Sequence, residues 1–138
     1  AEVSFRLYAS SGYLSSTSPD EWQFIGYETP LGDAPQNTHL KAISGGRPVA
    51  YSSASIEMQR SLVTAGAGLA LLPDFAVSPA DDLVEVTHSR TPLRRNVWLV
   101  VHSDMRMARA VKTVTDCLRD WFSMSYREHS VRTPDGAR

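Results

Sequence analysis

The sequence predicts an α/β fold, in which a mostly parallel sheet is flanked by helices. The first observation is a strand–helix–strand pattern at residues 49–73, VAYSSASIEMQRSLVTAGAGLALLP. Each outer run is apolar and too short for a helix, whereas the apolar residues between them recur at helical spacing. Two strands that a helix connects in this way run parallel, with a right-handed crossover. The second observation is that further short apolar runs alternate with turn formers and helical segments on both sides.

The helix of this central unit is predicted to begin at its serines and to end at a glycine. The hydroxyl groups of Ser52, Ser53 and Ser55 can accept hydrogen bonds from the first amides of a helix, which lack partners. We expect one of Ser52 and Ser53 to be the cap. Gly66 stands where a left-handed residue ends a helix, and Gly68 lets the chain reverse tightly into the next strand.

The two faces of this helix are predicted from its periodicity. The residues expected to face the sheet are Ile56, Met58, Leu62, Val63 and Ala65. The polar residues Glu57, Gln59 and Arg60 are expected to face solvent. The apolar run at residues 69–72 has no polar side, so we expect a strand that is buried on both faces and that Pro73 ends.

Before the central unit, the chain is predicted to open with a half-buried strand. Val3, Phe5 and Leu7 alternate there with polar residues, which is the period of a strand. The predicted elements in order are a strand at residues 1–9, a short helix at 10–14, a strand at 22–27, a weak helix at about 34–43 and a strand at 47–51.

After the central unit, the chain is predicted to end in its most apolar strand and its longest helix. The elements in order are a helical turn at residues 74–77, a strand at 83–86, a solvated connection at 87–96, a strand at 97–101, a helix at about 107–125 and a flexible tail at 127–138. The apolar stripe of the helix consists of Met107, Val111, Val114, Leu118 and either Trp121 or Phe122. We expect this stripe to fold back on the rest of the chain or to pair with another chain.

Composition excludes several classes of protein. The 138 residues suffice for one domain with a real core, and a net charge of −1 argues against gripping a nucleic acid backbone. No apolar run reaches membrane-spanning length, and the first residues lack the profile of a secretory signal. The single cysteine, Cys117, is expected to be buried in a helix and inert. We therefore expect a cytoplasmic protein.

Three stretches, taken in order and spacing, resemble the effector-binding domain of LysR-type transcriptional regulators. They are the opening YASSGYL, the turn and strand VTAGAGLALLPDF, and the closing PLRRNVWLVVHSD with RAVKTVTDCLRDWF. The resemblance covers about residues 6–122. It implies a bacterial regulator with a fold like that of type 2 periplasmic binding proteins, in which a small effector binds between two lobes and two strands form the hinge.

On this resemblance, residues 1–9 are the first hinge strand and residues 10–95 are the second, Rossmann-like lobe. Residues 96–126 would be the second hinge strand with the last helix of the first lobe, and residues 127–138 a flexible tail. The hinge strands proper would be residues 3–9 and 97–102. A winged helix-turn-helix and the first half of lobe one are absent from this sequence, so we expect a part of a longer, homo-oligomeric regulator that contacts DNA through the missing domain.

Candidate effector-binding residues are predicted at strand ends, because ligands of open α/β sheets gather at the carboxyl ends of the strands. The candidates are Ser10, Ser11, Thr29, Pro30, Ser52, Ser53, Trp98 and His102. Backbone amides and hydroxyls dominate this set, so we expect an anionic effector. Each of these residues also has a plain structural interpretation as a helix cap, a turn residue or a core side chain.

No catalytic residue, metal ligand or cofactor is predicted. The four histidines, His39, His88, His102 and His129, lack the spacing of a metal site, and no nucleophile elbow or phosphate loop is present. Two alternatives to a regulator remain open. One is a lobe of a solute-binding protein of a transporter, which shares the fold, and the other is a dimerisation module with no live ligand site.

Overall fold

The computed structural model describes residues 1–28 and 34–129, with side chains through Met124. The chain forms two compact units. One consists of Val3–Arg95, and the other of Ala1–Glu2 together with the described residues from Asn96 onward. The chain passes between the units at two points, Glu2–Val3 and Arg95–Asn96.

One sheet contains all the strands of the described residues. They are β1 (Glu2–Ser10), β2 (Phe24–Tyr27), β3 (Val49–Ser53), β4 (Leu69–Pro73), β5 (Leu83–Glu85) and β6 (Leu93–Asn96). Their order is β3-β2-β4-β1-β5, and β6 also pairs with β1. Strand β2 runs parallel to β3 and β4, whereas β1 runs antiparallel to β4 and β5. The predicted α/β fold, a sheet flanked by helices, is confirmed, and the sheet is mixed because β1 runs opposite to its neighbours β4 and β5.

The helices are α1 (Ser11–Ser16), α2 (Pro35–Ile43), α3 (Ile56–Thr64) and α4 (Arg109–His129). Short 3-10 turns lie at Pro19–Glu21, Asp74–Ala76 and Ser103–Met105. The predicted strand, crossover helix and second strand of the central unit are therefore present as β3, α3 and β4. Asp33, a possible cap of α2, lies outside the described residues, and α2 begins with Pro35 in its first turn.

Strand β4 divides the core of the larger unit into two halves. Every residue of β4 is buried, as its uniform apolarity predicts. On one face, Leu69 and Leu71 pack with Phe24 and Leu40, which brings α2 against the sheet. The other face carries a second cluster made by Ile25, Val63, Ala70 and Leu72, which fixes α3. The sheet thus lies between α2 and α3.

Two predictions about the first turns of α3 are wrong. Its cap is Ser55, whose Oγ accepts from the Met58 amide at 3.3 Å, so the expectation that Ser52 or Ser53 caps it is wrong. The assignment of its faces is wrong at two residues, since Met58 is exposed and Gln59 is only 3% exposed. The helical period places residues correctly on average, but a polar side chain enters the core when it can bond there.

The end of α3 agrees with the sequence. The amide of Gly66 donates to the Val63 carbonyl and that of Ala67 to the Leu62 carbonyl, which together form a Schellman motif. Gly66 has a φ of +76°, the left-handed conformation that this motif requires. The predicted role of Gly66 in ending the helix is confirmed.

The strand predicted at residues 97–101 is wrong, and a strand lies just before it. Strand β6 occupies part of the predicted solvated connection. Just beyond it, the Val97 amide donates to the Ala1 carbonyl at 2.8 Å, and the Ala1 nitrogen donates to the Val97 carbonyl at 3.1 Å. Such a mutual exchange is the antiparallel pattern. No strand of the described chain pairs with residues 98–101, and Trp98 and Val100 are 80% and 87% exposed. An apolar run becomes a buried strand only where neighbouring elements cover it.

Substitution of Gly68 by alanine is expected to destabilise the larger unit by about 2–3 kcal/mol. Gly68 has a φ of +149°, and an added Cβ would lie 2.6 Å from the carbonyl oxygen of Gln23. Urea denaturation followed by circular dichroism measures the effect. Gly12→Ala is the matched control, because Gly12 lies in α1 with no atom within 4 Å of an added Cβ, and it should be neutral or stabilising by up to about 1 kcal/mol. Equal losses in both variants would contradict the importance of the contact with Gln23.

Acid is expected to destabilise the larger unit through His39. Burial, followed by the positive charges of His88 and Arg90, lowers the pKa of His39, whose ring lies edge-on to that of His88 at 6.1 Å. The folded protein therefore binds this proton less tightly than the unfolded chain. Its contribution to stability is complete above a pH of about 6.5 and is lost as the pH falls through the lowered pKa.

The test of this pH dependence is urea denaturation at pH 7.5 and pH 5. His39→Gln, which keeps a polar side chain but cannot become charged, should reduce the loss of unfolding free energy between the two pH values. His102→Gln is the control, because His102 is exposed. A pH dependence unchanged in His39→Gln would show that other groups cause it.

Candidate functional site

The carboxyl ends of β2, β3 and β4 meet at one edge of the sheet, which we call the carboxyl edge. Because these strands are parallel and Tyr27 is in register with Ser53, their last residues lie side by side. Helix α2 follows β2 and helix α3 follows β3, so both begin near this edge. This is where a ligand of an open α/β sheet binds.

Asn37 holds the first turn of α2 against the end of β2. Strand β2 pairs with β4 at Phe24 and Ile25, so Tyr27 lies past the end of this pairing. The Asn37 side chain replaces the missing strand, since its Oδ1 accepts from the Tyr27 amide at 2.8 Å and its Nδ2 donates to the Tyr27 carbonyl. Sequence reasoning missed this residue, because an asparagine in a helix gives no signal of a distant backbone partner.

Gln59 holds the first turn of α3 against the end of β3 in the same way. Its Nε2 donates to the Ser53 carbonyl at 2.7 Å, and the same carbonyl accepts from the Glu28 amide at 3.1 Å. Because Gln59 is almost completely buried, this hydrogen bond forms away from water and fixes the first turn of α3 on the end of β3. A side-chain amide thus holds the start of α2 on the end of β2, and another holds the start of α3 on the end of β3.

The candidate serines of this edge differ in their surroundings. Ser53 is half-buried, and its Oγ accepts from the Ser55 amide at 3.1 Å. Ser52 is exposed, and within the described residues its hydroxyl forms no hydrogen bond. Ser52 is therefore the serine whose hydroxyl is open to a ligand. Thr29 and Pro30, the other candidates of this edge, lie outside the described residues.

Glu57 places a negative charge at the start of α3. Its carboxylate accepts from the Ser55 hydroxyl at 2.9 Å, and its own backbone amide and this hydroxyl lower its pKa. Glu57 therefore remains charged at neutral pH, and its negative charge stabilises α3 by interacting with the positive end of the helix dipole. The first turn of α3 already has an anion of its own.

The placement of Ser10 and Ser11 with the other candidates is wrong. Because β1 is antiparallel, its first half lies beside the end of β4, with Phe5 opposite Pro73, and its last residues lie beside the start of β4. Ser10 and Ser11 are thus at the opposite edge of the sheet from Ser52. Ser10 caps α1 through the Tyr13 amide, and Ser11 donates to the Asp82 carboxylate. A ligand role for them stays a prediction without structural support.

A cavity of about 80 Å³ lies beneath the carboxyl edge, in the larger unit. Its lining residues come from the sheet, α2 and α3, and they are Phe5, Ile25, Tyr27, Gln36, Asn37, Leu40, Ile56, Gln59 and Leu71. The walls are mostly apolar. Asn37 and Gln59, which tie the helices to the strand ends, also supply polar groups to it.

Trp98 and His102 belong to the smaller unit. His102 is exposed, and its Nδ1 accepts from the Asp104 amide at 3.3 Å, so it caps a 3-10 turn. Trp98 lines a groove of about 1460 Å³, whose other apolar walls include Leu99, Met107, Val111, Leu118 and Phe122. Of the predicted stripe, Val111, Leu118 and Phe122 of α4 line this groove together with Met107, which lies just before α4. Val114 and Trp121 are exposed and are not among the lining residues.

Three further features concern metal binding, membrane spanning and the single cysteine. Within the described residues, no group of three or more histidine, cysteine, aspartate or glutamate side chains could hold a metal ion. The described helices include none that is long and apolar enough to cross a membrane. Cys117 is exposed on α4, so its predicted burial is wrong.

Comparisons with known proteins agree with this geometry. Residues 1–123 match the family model of the LysR substrate binding domain. The Mau operon transcriptional activator of Paracoccus denitrificans is 29% identical over 123 residues, which are 88% of this chain and 42% of that protein. The chain thus spans less than half the length of this curated relative.

Two solved structures share the fold. The regulatory domain of CrgA, a LysR-type transcriptional regulator from Neisseria meningitidis, matches with a TM-score of 0.58 and 23% identity, over 86% of this chain and 64% of that one. The regulatory domain of a HypT mutant from Salmonella typhimurium matches with a TM-score of 0.57 and 14% identity, over 88% of this chain and 64% of that one.

The sheet order and the helices that begin at the carboxyl edge define the fold class, an open α/β sheet flanked by helices, and the CrgA and HypT regulatory domains share this fold. The chain belongs to the LysR substrate-binding domain family, the effector-binding regulatory domains of LysR-type transcriptional regulators. The resemblance seen in the sequence is confirmed.

Removal of the Asn37 amide is expected to destabilise the larger unit. Asn37→Ala leaves the amide and carbonyl of Tyr27 without partners in a partly buried place and should cost about 1–3 kcal/mol. Asn37→Asp should cost more at pH 7, because a carboxylate oxygen would face the Tyr27 carbonyl. Urea denaturation measures both, with Thr38→Ala, an exposed neighbour on α2, expected within about 0.5 kcal/mol of the wild type. A harmless Asn37→Ala would refute the role given to this side chain.

Proposed function

We propose that this chain senses a small anionic effector that binds between two lobes at the carboxyl edge. The observation that carries the proposal is the open hydroxyl of Ser52 at the end of β3, beside two helix N-termini, in a chain of this family. Hydroxyl groups at such an edge donate hydrogen bonds to carboxylates. Ser53 belongs to the same proposed site, and Thr29, Pro30, Trp98 and His102 stay candidates that the sequence alone predicts.

The proposed hinge consists of β1 and the segment from β6 to Val97. Two features support it. The chain passes between its two units at Glu2–Val3 and at Arg95–Asn96, and the backbones of Ala1 and Val97 exchange both hydrogen bonds.

The proposed output is a change in how a homo-oligomer presents a DNA-binding domain. The support is the match to regulators that are much longer than this chain, the activator of the Mau operon among them. Effector binding then shifts the oligomer from one conformational state toward another. The size of this shift is limited by the difference between the effector's affinities for the two states. An upstream reading frame for a winged helix-turn-helix would agree with this proposal, whereas a transporter operon would favour a solute-binding protein.

Titration of the intact regulator with aliphatic carboxylates and phenolic acids tests the anionic effector. Tryptophan fluorescence is a suitable signal, since Trp98 is exposed and is itself a candidate site residue. Ser52→Asp should weaken binding of the responding acid roughly tenfold or more, because two negative charges would then meet. Ser15→Asp, the same change on exposed α1, is the control and should leave the affinity unchanged.

The alternatives predict other results. If no acid changes the fluorescence of the intact regulator, a dimerisation module without a live site is favoured. If an acid binds with equal affinity to Ser52→Asp and to the wild type, its site does not include the carboxyl edge at Ser52.

A further inference from the structure

Three basic side chains of the larger unit lie close together, outside the candidate effector site. His39 lies on the second turn of α2, and His88 and Arg90 lie on the connection between β5 and β6. The two imidazole rings are edge-on, with their centroids 6.1 Å apart. None of the three residues lines the cavity beneath the carboxyl edge. They form a separate group, which we call the basic cluster.

One atom of the basic cluster is buried without a partner. Within the described residues, the Nε2 atom of His39 is the buried side-chain nitrogen or oxygen that has no hydrogen-bond partner. Folded proteins satisfy nearly all such atoms, and an exception is often explained by a bound ion or water. This atom therefore points to a ligand that the chain itself does not supply.

The other two side chains are set up as hydrogen-bond donors. The Nδ1 atom of His88 accepts from the Arg90 amide at 3.1 Å, so the neutral ring carries its proton on Nε2. Arg90 is exposed, and within the described residues its guanidinium forms no hydrogen bond or ion pair. A metal ion is disfavoured, because it would need the lone pair of Nε2 of His88 and would be repelled by Arg90.

The basic cluster has no negative charge of its own. Burial, followed by the positive charges of His88 and Arg90, lowers the pKa of His39. Neither α2 nor residues 86–103 contain an aspartate or a glutamate. An anion would offset these charges, and it would bind more tightly as the imidazoles become protonated. The surroundings therefore select an anionic ligand.

We propose that the basic cluster binds a small oxyanion of the phosphate or sulfate type, which accepts hydrogen bonds from the side chains of His39, His88 and Arg90. Donors on three separate side chains suit a tetrahedral group with several oxygen atoms, two of which a guanidinium can bind in parallel. Because His88 lies between two strands and is only half-buried, its side chain can shift to let the oxyanion reach Nε2 of His39. This site does not depend on the proposed function, since none of its three residues belongs to the carboxyl edge.

Sulfate is the first probe, because its charge is the same at pH 5.5 and at pH 8. The whole chain is titrated with sodium sulfate, and with sodium chloride at equal ionic strength, while NMR follows the imidazole signals. At pH 5.5, sulfate should give saturable shifts at His39 and His88 that chloride does not give. The affinity should fall about tenfold or more at pH 8, where imidazoles are neutral. Equal shifts in the two salts, or equal sulfate affinities at the two pH values, would overturn the proposal.

Variants test whether the three side chains, rather than charge in general, bind the ion. Arg90→Gln should weaken sulfate binding about tenfold, and because Arg90 is exposed the variant should fold. Lys41→Gln is the matched control, since it removes a positive charge from an exposed position of α2 two residues from His39, and it should leave the affinity within about twofold. Equal losses in the two variants would show unspecific attraction and refute the site.

A further variant separates this site from the proposed effector site. Ser52→Asp should leave sulfate binding unchanged, whereas loss of binding would place the ion at the carboxyl edge and overturn the proposal. The source of the oxyanion is found by comparing inorganic phosphate with glycerol phosphate. Equal affinities would support a site for the free ion, and tighter binding of the ester would support a site for a phosphorylated metabolite. If neither phosphate competes with sulfate, the proposed phosphate-type site is refuted.

Discussion

Two side-chain amides hold the part of this domain that a ligand would meet. Strand pairing alone does not secure the end of β2, so Asn37 bonds the Tyr27 backbone as a neighbouring strand would, and Gln59 bonds the end of β3. Each amide fixes the first turn of a helix on a strand end. These contacts hold the end of β3, on which Ser52 lies, and the end of β2 beside it.

Local patterns were enough to predict the centre of the fold. The apolarity of β4 and the glycine that ends α3 depend on neighbours in the sequence, and these predictions are confirmed. Several of the wrong predictions depend instead on distant partners. The direction of β1 places Ser10 at the other edge, and the run at residues 97–101 finds no strand to pair with in the described chain. The burial of Gln59 likewise depends on a carbonyl six residues away in a different element.

Charge at the carboxyl edge limits the kind of anion that can bind there. Glu57 already occupies the first turn of α3, and its lowered pKa keeps it charged at neutral pH. A second anion on the same amides would be repelled. An acidic effector must therefore displace Glu57 or take its hydrogen bonds from hydroxyls such as that of Ser52. The anionic effector predicted from the candidate residues and the local electrostatics agree only if hydroxyls, rather than the dipole of α3, provide most of the recognition.

The hydrogen bonds that hold the ends of β2 and β3 bear on how a ligand could shift a conformational equilibrium. A ligand shifts a conformational equilibrium only by the difference in its affinity for the two states. If the edge had to become ordered on binding, part of the binding free energy would be lost to that ordering in both states. Asn37 and Gln59 hold the ends of β2 and β3 in place without any ligand, so a molecule that bound at these strand ends would not lose free energy to ordering them.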